Sequence, residues 1–168
     1  MGKNTQGQNL LTREFSAGGI VYKKTKEGLL WLVRRTSSSK MFPETYWMFP
    51  KGWLDDAGPD VPGPMASGKK KADEETLQKT AIRETAEETG VEAKIIKKVG
   101  TITLFYTHPV RGKVIKFVTH YLMEWISDLP IGFDFETSEI EWLPFEKAVE
   151  RLSFKSEKEA LEKANKLL

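Results

Sequence analysis

The sequence predicts a mixed α/β domain, and three observations carry that expectation. Short β-branched and apolar runs, separated by turn residues, fill roughly 14–35 and 94–125. A charged stretch from Glu74 to Thr89 has helical spacing and is followed by Gly90, a residue suited to ending a helix. After about position 139 one short strand pattern gives way to helical patterns. A chain of 168 residues, 39% hydrophobic and 30% charged, suits one globular core and argues against a disordered chain.

The elements follow in order. Residues 1–13 are polar and read as a loose arm, with 14–168 as a single domain. "SAGGIVYKK" and "GLLWLVRR" read as a hairpin around "KTKEG". "RRTSSSKMFPETYW" is turn-rich and reads as a loop leading to "WMFPKGW". The next stretch, about 55–73, is dense in Gly, Pro, Asp and Lys and reads as an exposed loop. On the 74–89 helix, Ile82, Thr85, Ala86 and Thr89 make one small or apolar face, with Arg83, Glu84, Glu87 and Glu88 on the other side. "KIIKKVGTITLFYTH" and "KVIKFVTHYLMEW" alternate as two strands around "PVRG". "EIEWLPFEKAVERL" passes from strand to helix near Pro144, and Ser156 with Glu159 has capping-box spacing for a last helix.

Bulk properties exclude some functions. A net charge of +2 does not predict nucleic-acid or membrane affinity from overall electrostatics. The absence of cysteine rules out disulfides and thiolate chemistry. No apolar run reaches membrane-spanning length, so the expectation is a soluble cytoplasmic protein with no membrane partner.

The chemistry concentrates in "IRETAEETGV". Glu84, Glu87 and Glu88 lie at helical offsets 0, 3 and 4, where like charges repel by a few tenths of a kcal/mol per pair (about 0.2–0.5). Clustered carboxylates on a rigid helix are what a hard cation such as Mg²⁺ needs, since it takes oxygen ligands. Arg83 is placed to hold a glutamate through a guanidinium fork.

These residues resemble the Nudix hydrolase family. Glu75, seven residues, and then Arg83-Glu84-x-x-Glu87-Glu88-x-Gly90-Val91 fit the family's box, with Thr85 in a slot that is usually apolar. The box opens on a glycine, and the match is Gly52 in "WMFPKG"; 22 residues separate it from Glu75 where five are usual, an insertion of 17. "FSAGGIVYK" is similar to the first Nudix strand, and the segment from Glu139 to Leu168 resembles the diadenosine tetraphosphate hydrolases.

The resemblance implies a Nudix-type α/β/α sandwich, with a mixed β-sheet between helices. It implies a Mg²⁺- or Mn²⁺-dependent hydrolase that cleaves a diphosphate linkage in a nucleotide, with a dinucleoside polyphosphate as substrate. It assigns metal contacts to Glu84, Glu87, Glu88 and the Gly52 carbonyl, with Glu75 as a supporting carboxylate. Glu84 is carried over as ligand or base, Arg83 as its partner, and Glu139 as the base that some relatives place on a later loop, with Glu141 next. Lys51, Arg34, Arg35 and Lys113 are candidates for phosphate contact, and Tyr106 or Phe105 for stacking on a base. Alternatives are action on 5′-RNA or diphosphoinositol polyphosphates, sanitisation of oxidised nucleoside triphosphates, and a non-catalytic nucleotide-sensing domain. Oligomeric state is not legible.

Overall fold

A computed structural model describes residues 11–168. The arm expected over 1–13 thus lies mostly outside the described residues, and Thr12 and Arg13 already belong to the first strand. The strands are β1 (Thr12–Thr25), β2 (Gly28–Thr36), β3 (Trp47–Met48), β4 (Lys51–Trp53), β5 (Asp56–Gly58), β6 (Val61–Pro62), β7 (Val91–His108), β8 (Gly112–Asp128) and β9 (Thr137–Leu143). The helices are α1 (Glu74–Thr89), α2 (Phe145–Arg151) and α3 (Lys155–Lys166).

One mixed sheet runs β3-β2-β1-β8-β7, with β9 paired to β2 and β4 paired to β1. β1 lies parallel to β8 over its length, while its other edge is shared antiparallel: residues 22–25 pair with β2 and Ser16–Gly18 with β4. The sheet therefore forks beside β1, and the fork carries Lys51 and Gly52 away from β2 and towards α1.

Alternation along the strands builds two cores. Ile20, Tyr22, Trp31, Val33 and Leu122 point to one face and pack with Ala148, Leu152, Ala160 and Leu161 of the C-terminal helices and their linker. Val21, Leu32, Tyr121 and Met123 point to the other, where Ala81 of α1 packs. Fully burying a side chain of this size is worth about 1.5–3 kcal/mol. The sheet thus sits between α1 and the α2/α3 pair, as the α/β/α expectation has it. Among the described residues no helix is long and apolar enough to cross a membrane.

α1 has the bounds the sequence predicts, and its ends explain them. The Asp73 carboxylate accepts the Thr76 amide at 2.8 Å, and Gly90 adopts φ 69°, a left-handed turn that glycine takes without strain. Thr85 and Thr89 of the expected small face are buried, but Ile82 is exposed, and Ala81 and Glu88 face inward instead. The last helix also differs: Phe154 precedes it with no side-chain cap, and Ser156 falls inside its first turn. Ser153 instead bonds to β3 through both its amide and its hydroxyl, which sets where α3 starts.

The 55–73 stretch is more than an exposed loop. It contains the β5–β6 hairpin and buries Gly63 and Ala66. The Asp55 carboxylate accepts the amides of Met65 (3.1 Å) and Ala66 (2.7 Å), and the Ala66 carbonyl accepts the Phe15 amide of β1 (2.8 Å). Asp55→Ala should lower global stability by about 1–3 kcal/mol, because two half-buried amides lose a charged acceptor. Limited proteolysis should then cut within 55–73 faster than elsewhere; an unchanged pattern would show that the stretch is held by other contacts.

His120 is fully buried on β8, edge-on to Phe49, with neither ring nitrogen hydrogen-bonded. Burial, and then the Lys51 charge, push it down to about 3 from 6.5. The unfolded chain therefore binds a proton below pH 6.5 that the folded chain refuses. Stability from this residue is present above pH 6.5 and is lost as pH falls from there towards about 3, at up to about 1.4 kcal/mol per pH unit. His120→Leu should flatten the acid limb of a denaturation series by about that slope.

Candidate active site

A cleft of about 600 Å³ opens over the C-terminal half of α1. Arg83, Glu84 and Glu87 form its floor together with Lys51, Gly52 and Trp53 of the forked strand β4. Asp56, Gly58, Pro59 and Asp60 wall one side, and Met41 and Phe42 of the β2–β3 loop form part of the rim. Tyr106, His108, Arg111 and Lys116 of the β7–β8 hairpin stand opposite, and Asp134 and Glu136 close the mouth.

The box glutamates have separate environments. Arg83 donates to Glu84 at 2.8 Å and lies 3.4 Å from Glu87, so one guanidinium bridges the two. Burial, opposed by Arg83 and reinforced by Glu87, pushes the Glu84 carboxyl up to about 7. Glu88 points the other way, into the protein, and is 2% exposed. It accepts the Lys51 amide at 2.7 Å and pairs with Arg34 Nη2 at 2.9 Å. Burial raises its carboxyl, with Arg34 and Lys51 pulling against that.

Gly52 has a concrete requirement. A Cβ there would fall on the Glu84 carboxylate, so any other residue would push that side chain from its place. Gly52→Ala should displace Glu84 and reduce turnover about 100-fold or more, while the thermal midpoint shifts by only a few degrees. Wild-type activity in this variant would show that the contact is incidental.

The C-terminal end of α1 is tied to the mouth of the cleft. The Asp134 amide donates to the Glu87 carbonyl (2.9 Å), and the Thr137 hydroxyl donates to the Glu88 carbonyl (2.7 Å). These bonds satisfy carbonyls that a helix end leaves without partners. They also bring Glu136 to the rim, where partial burial and the neighbouring Asp134 raise its carboxyl.

The basic side of the cleft rests on a residue that sequence reasoning missed. Glu14 of β1 is fully buried and accepts from the Tyr106 hydroxyl (2.8 Å) and the Trp53 indole N–H (3.1 Å). It also pairs with Arg111 (2.7 Å) and Lys116 (3.5 Å). Burial opposes its charge, yet Lys116, Tyr106, Trp53 and Arg111 together hold its carboxyl below the usual range. One carboxylate thus orders two cations and two aromatic rings.

Several sequence expectations need correction. Arg34 does not face the cleft: it is 3% exposed, and its donors go to Glu88, the Glu136 carbonyl and the Thr137 hydroxyl. Arg35 is exposed, against Thr45. Lys113 lies exposed at the hairpin, outside the lining; Lys116 lines the cleft instead. Period-two phase separates the two lysines, because Lys116 is in step with buried Val114, Val118 and Leu122 and Lys113 is not. Phe105 is 71% exposed and points away, whereas Tyr106 lines the cleft.

Glu75 cannot support the acidic floor. α1 begins before it, which puts Glu75 on the outward face, paired with Lys79 at 2.7 Å. Glu139 pairs in register with Arg35 along β9, and Glu141 bonds Arg151, so both leave the cleft. Thr137 anchors the start of β9 on α1 and Arg34, and Glu136, just before that anchor, stays at the mouth.

Fold and cleft together define an α/β/α sandwich with an acidic floor facing a basic wall. The chain belongs to the NUDIX family, whose domain matches residues 12–164. It is 35% identical over 94 residues to the putative mutator protein MutT4 of Mycobacterium tuberculosis, an alignment covering 56% of this chain and 38% of that protein. Among solved structures it is similar to a C. elegans Ap4A hydrolase binary complex (TM-score 0.63, 21% identity, 92% of this chain and 96% of that one). The MutT protein from Methanosarcina mazei gives a TM-score of 0.62 at 19% identity, covering 94% of this chain and 96% of that one. The NUDIX domain of Shewanella oneidensis NrtR, complexed with ADP ribose, gives 0.59 at 16%, covering 98% and 94%. At these identities the likeness to solved structures is one of fold.

Proposed function

We propose that this protein is a divalent-cation-dependent hydrolase of phosphoanhydride bonds in nucleotides, and that its substrates are dinucleoside polyphosphates. The observation that carries this reading is the cleft's polarity. Glu84 and Glu87 face Arg111 and Lys116 across one cavity, with Tyr106, Trp53 and Phe42 on its walls. A polyphosphate chain suits the cationic side, and a nucleobase suits the aromatic rings.

A metal fits the donor set, although no three acidic or histidine side chains among the described residues converge tightly enough to ligate one as placed. The floor offers only hard oxygen donors, and the glycine at 52 leaves room where a Cβ would displace Glu84. Glu84, Glu87 and the Gly52 carbonyl would hold the ion, Arg83 yielding its share of Glu84 and Glu87; Glu88 would join them only on leaving Arg34 and the Lys51 amide. A bound Mg²⁺ or Mn²⁺ would neutralise phosphate charge and acidify a water molecule.

The chain's own groups do the rest. Arg111 and Lys116 hold the polyphosphate, and Glu14 keeps those cations in place. A water oxygen bonds to phosphorus as the bridging P–O bond breaks, and its proton passes to a carboxylate. Glu84 on the floor and Glu136 at the mouth are the two candidate bases. Products leave as two nucleotides.

The exposed Lys69, Lys70 and Lys71 lie outside the cleft lining and lend no support to an RNA reading. The deciding experiment measures product release, with Mg²⁺ and with Mn²⁺, from dinucleoside polyphosphates, nucleoside triphosphates, nucleotide sugars, diphosphoinositol polyphosphates and 5′-triphosphate RNA. The highest kcat/KM should fall on a dinucleoside polyphosphate. Another preferred class would replace the substrate assignment, and no turnover by folded protein would favour a nucleotide sensor.

A further inference from the structure

We infer that Glu157, on α3 and outside the cleft, is a positioning residue that braces the Phe49–Gly52 segment from behind and so sets the geometry of the acidic floor. Glu157 is fully buried within the first turn of α3. Its Oε2 accepts the Phe49 amide at 2.8 Å across 108 positions of sequence, while its Oε1 has no hydrogen-bond partner. A buried carboxylate with one oxygen unpaired is costly unless its charge is answered.

Lys51 answers it. Both charges are buried, and Glu157 is the carboxylate that acts most strongly on the Lys51 ammonium. No direct ion pair joins them; the Lys51 ammonium rests 3.1 Å from Met48 Sδ. The backbone of the same residue carries the effect to the floor. Its amide donates to Glu88 at 2.7 Å, and the next residue is Gly52, against Glu84. Ser153, just before α3, ties Trp47 at the other end of the segment through two bonds of 2.9 Å. The C-terminal region therefore holds this segment at Trp47 and at Phe49, and α1 holds it at Lys51. Had Glu157 been needed only to fill space, an apolar residue beside Leu161 and Ala160 would serve without the cost of a buried charge.

The test rests on the proposed hydrolase activity for one of its readouts only. Glu157→Gln keeps the shape and one acceptor oxygen but loses the charge; Glu157→Leu loses both. Each should lower kcat by about tenfold or more, Leu more than Gln, with KM within about twofold because Glu157 does not reach the cleft. In metal-free protein, amide exchange at Phe49 and Lys51 should quicken, Leu again exceeding Gln. Ala164→Gly, a destabilising change on the same helix, should lower the thermal midpoint and leave both readouts unmoved. In a Lys51→Met background, Glu157→Gln should cost less than about twofold in kcat, since the charge it answers is gone.

Wild-type kcat and unaltered exchange in Glu157→Gln would overturn the proposal. So would equal effects from Ala164→Gly, or full additivity with Lys51→Met. If the wild-type protein hydrolyses nothing, the exchange readout still decides the bracing role, and if Glu157→Leu fails to fold, the Gln variant carries the test.

Discussion

Glu88→Gln should abolish metal-dependent turnover and also cost the protein stability. From the sequence alone this substitution looks harmless to folding, because the residue reads as part of a solvated acidic face. The structure reverses that expectation. Glu88 is buried against Arg34, and its other oxygen accepts the Lys51 amide. Removing one partner of a buried ion pair typically costs about 3–5 kcal/mol, because the remaining charge is left without its counterpart. Here the Glu136 carbonyl and the Thr137 hydroxyl still accept from Arg34, so the lower end of that range is expected. Urea denaturation gives the measurement. Arg34→Met should also destabilise, and the double variant should be less damaging than the two losses added together. A Glu88→Gln protein of wild-type stability would mean that the pair contributes nothing.

Glu84→Gln should separate catalysis from folding. Its side chain faces the cleft, and Gln has the same shape without the charge that burial opposes. Turnover should fall by about 10²–10⁴, the range for loss of a general base, and losing an ion ligand would deepen the fall. Stability at pH 8 should be unchanged or higher. Mg²⁺ at millimolar concentration should raise the thermal midpoint of the wild-type protein and have little effect on this variant. Retained turnover in Glu84→Gln with loss in Glu136→Gln would move the base to the mouth of the cleft.

Much of the fold was legible because it is written in local patterns. The helix from Glu74 to Thr89 has its cap at Asp73 and its stop at Gly90, and both act within four residues of sequence. The β7–β8 hairpin follows from alternation and a short turn. Faces were harder. Ile82 reads as core by hydrophobicity but points outward, while Glu88, read on the polar side, points inward. A helix's rotation is set by what packs against it, and α1 packs against β1 and β7, whose side chains decide which of its residues are covered.

The site divides in the same way. Arg83, Glu84, Glu87 and Glu88 were recognisable because carboxylates at spacings of three and four share a region of one helix, and Gly52 through the likeness of its segment to the family's. Lys116 was recoverable from its phase along β8, and choosing Lys113 ignored that phase. Glu14, Arg111, Asp134 and Glu136 carried no local signal. They come from β1, from a hairpin turn and from a loop before β9, and only the folded sheet sets them around one cleft.

By itself, then, the sequence determined the element order and the acidic helix, since each depends on spacing within a few residues. Tertiary structure decided the rest. It turned Glu88 inward to Arg34 and Glu84 outward to the cleft, and it set Asp56, Gly58, Pro59 and Asp60 of the inserted stretch along one wall. The physical reason is burial. Whether a carboxylate is a solvated charge, an ion-pair partner or a near-neutral acid depends on how much water and which charges surround it, and for Glu88 those come from Arg34 and Lys51, far off in the sequence.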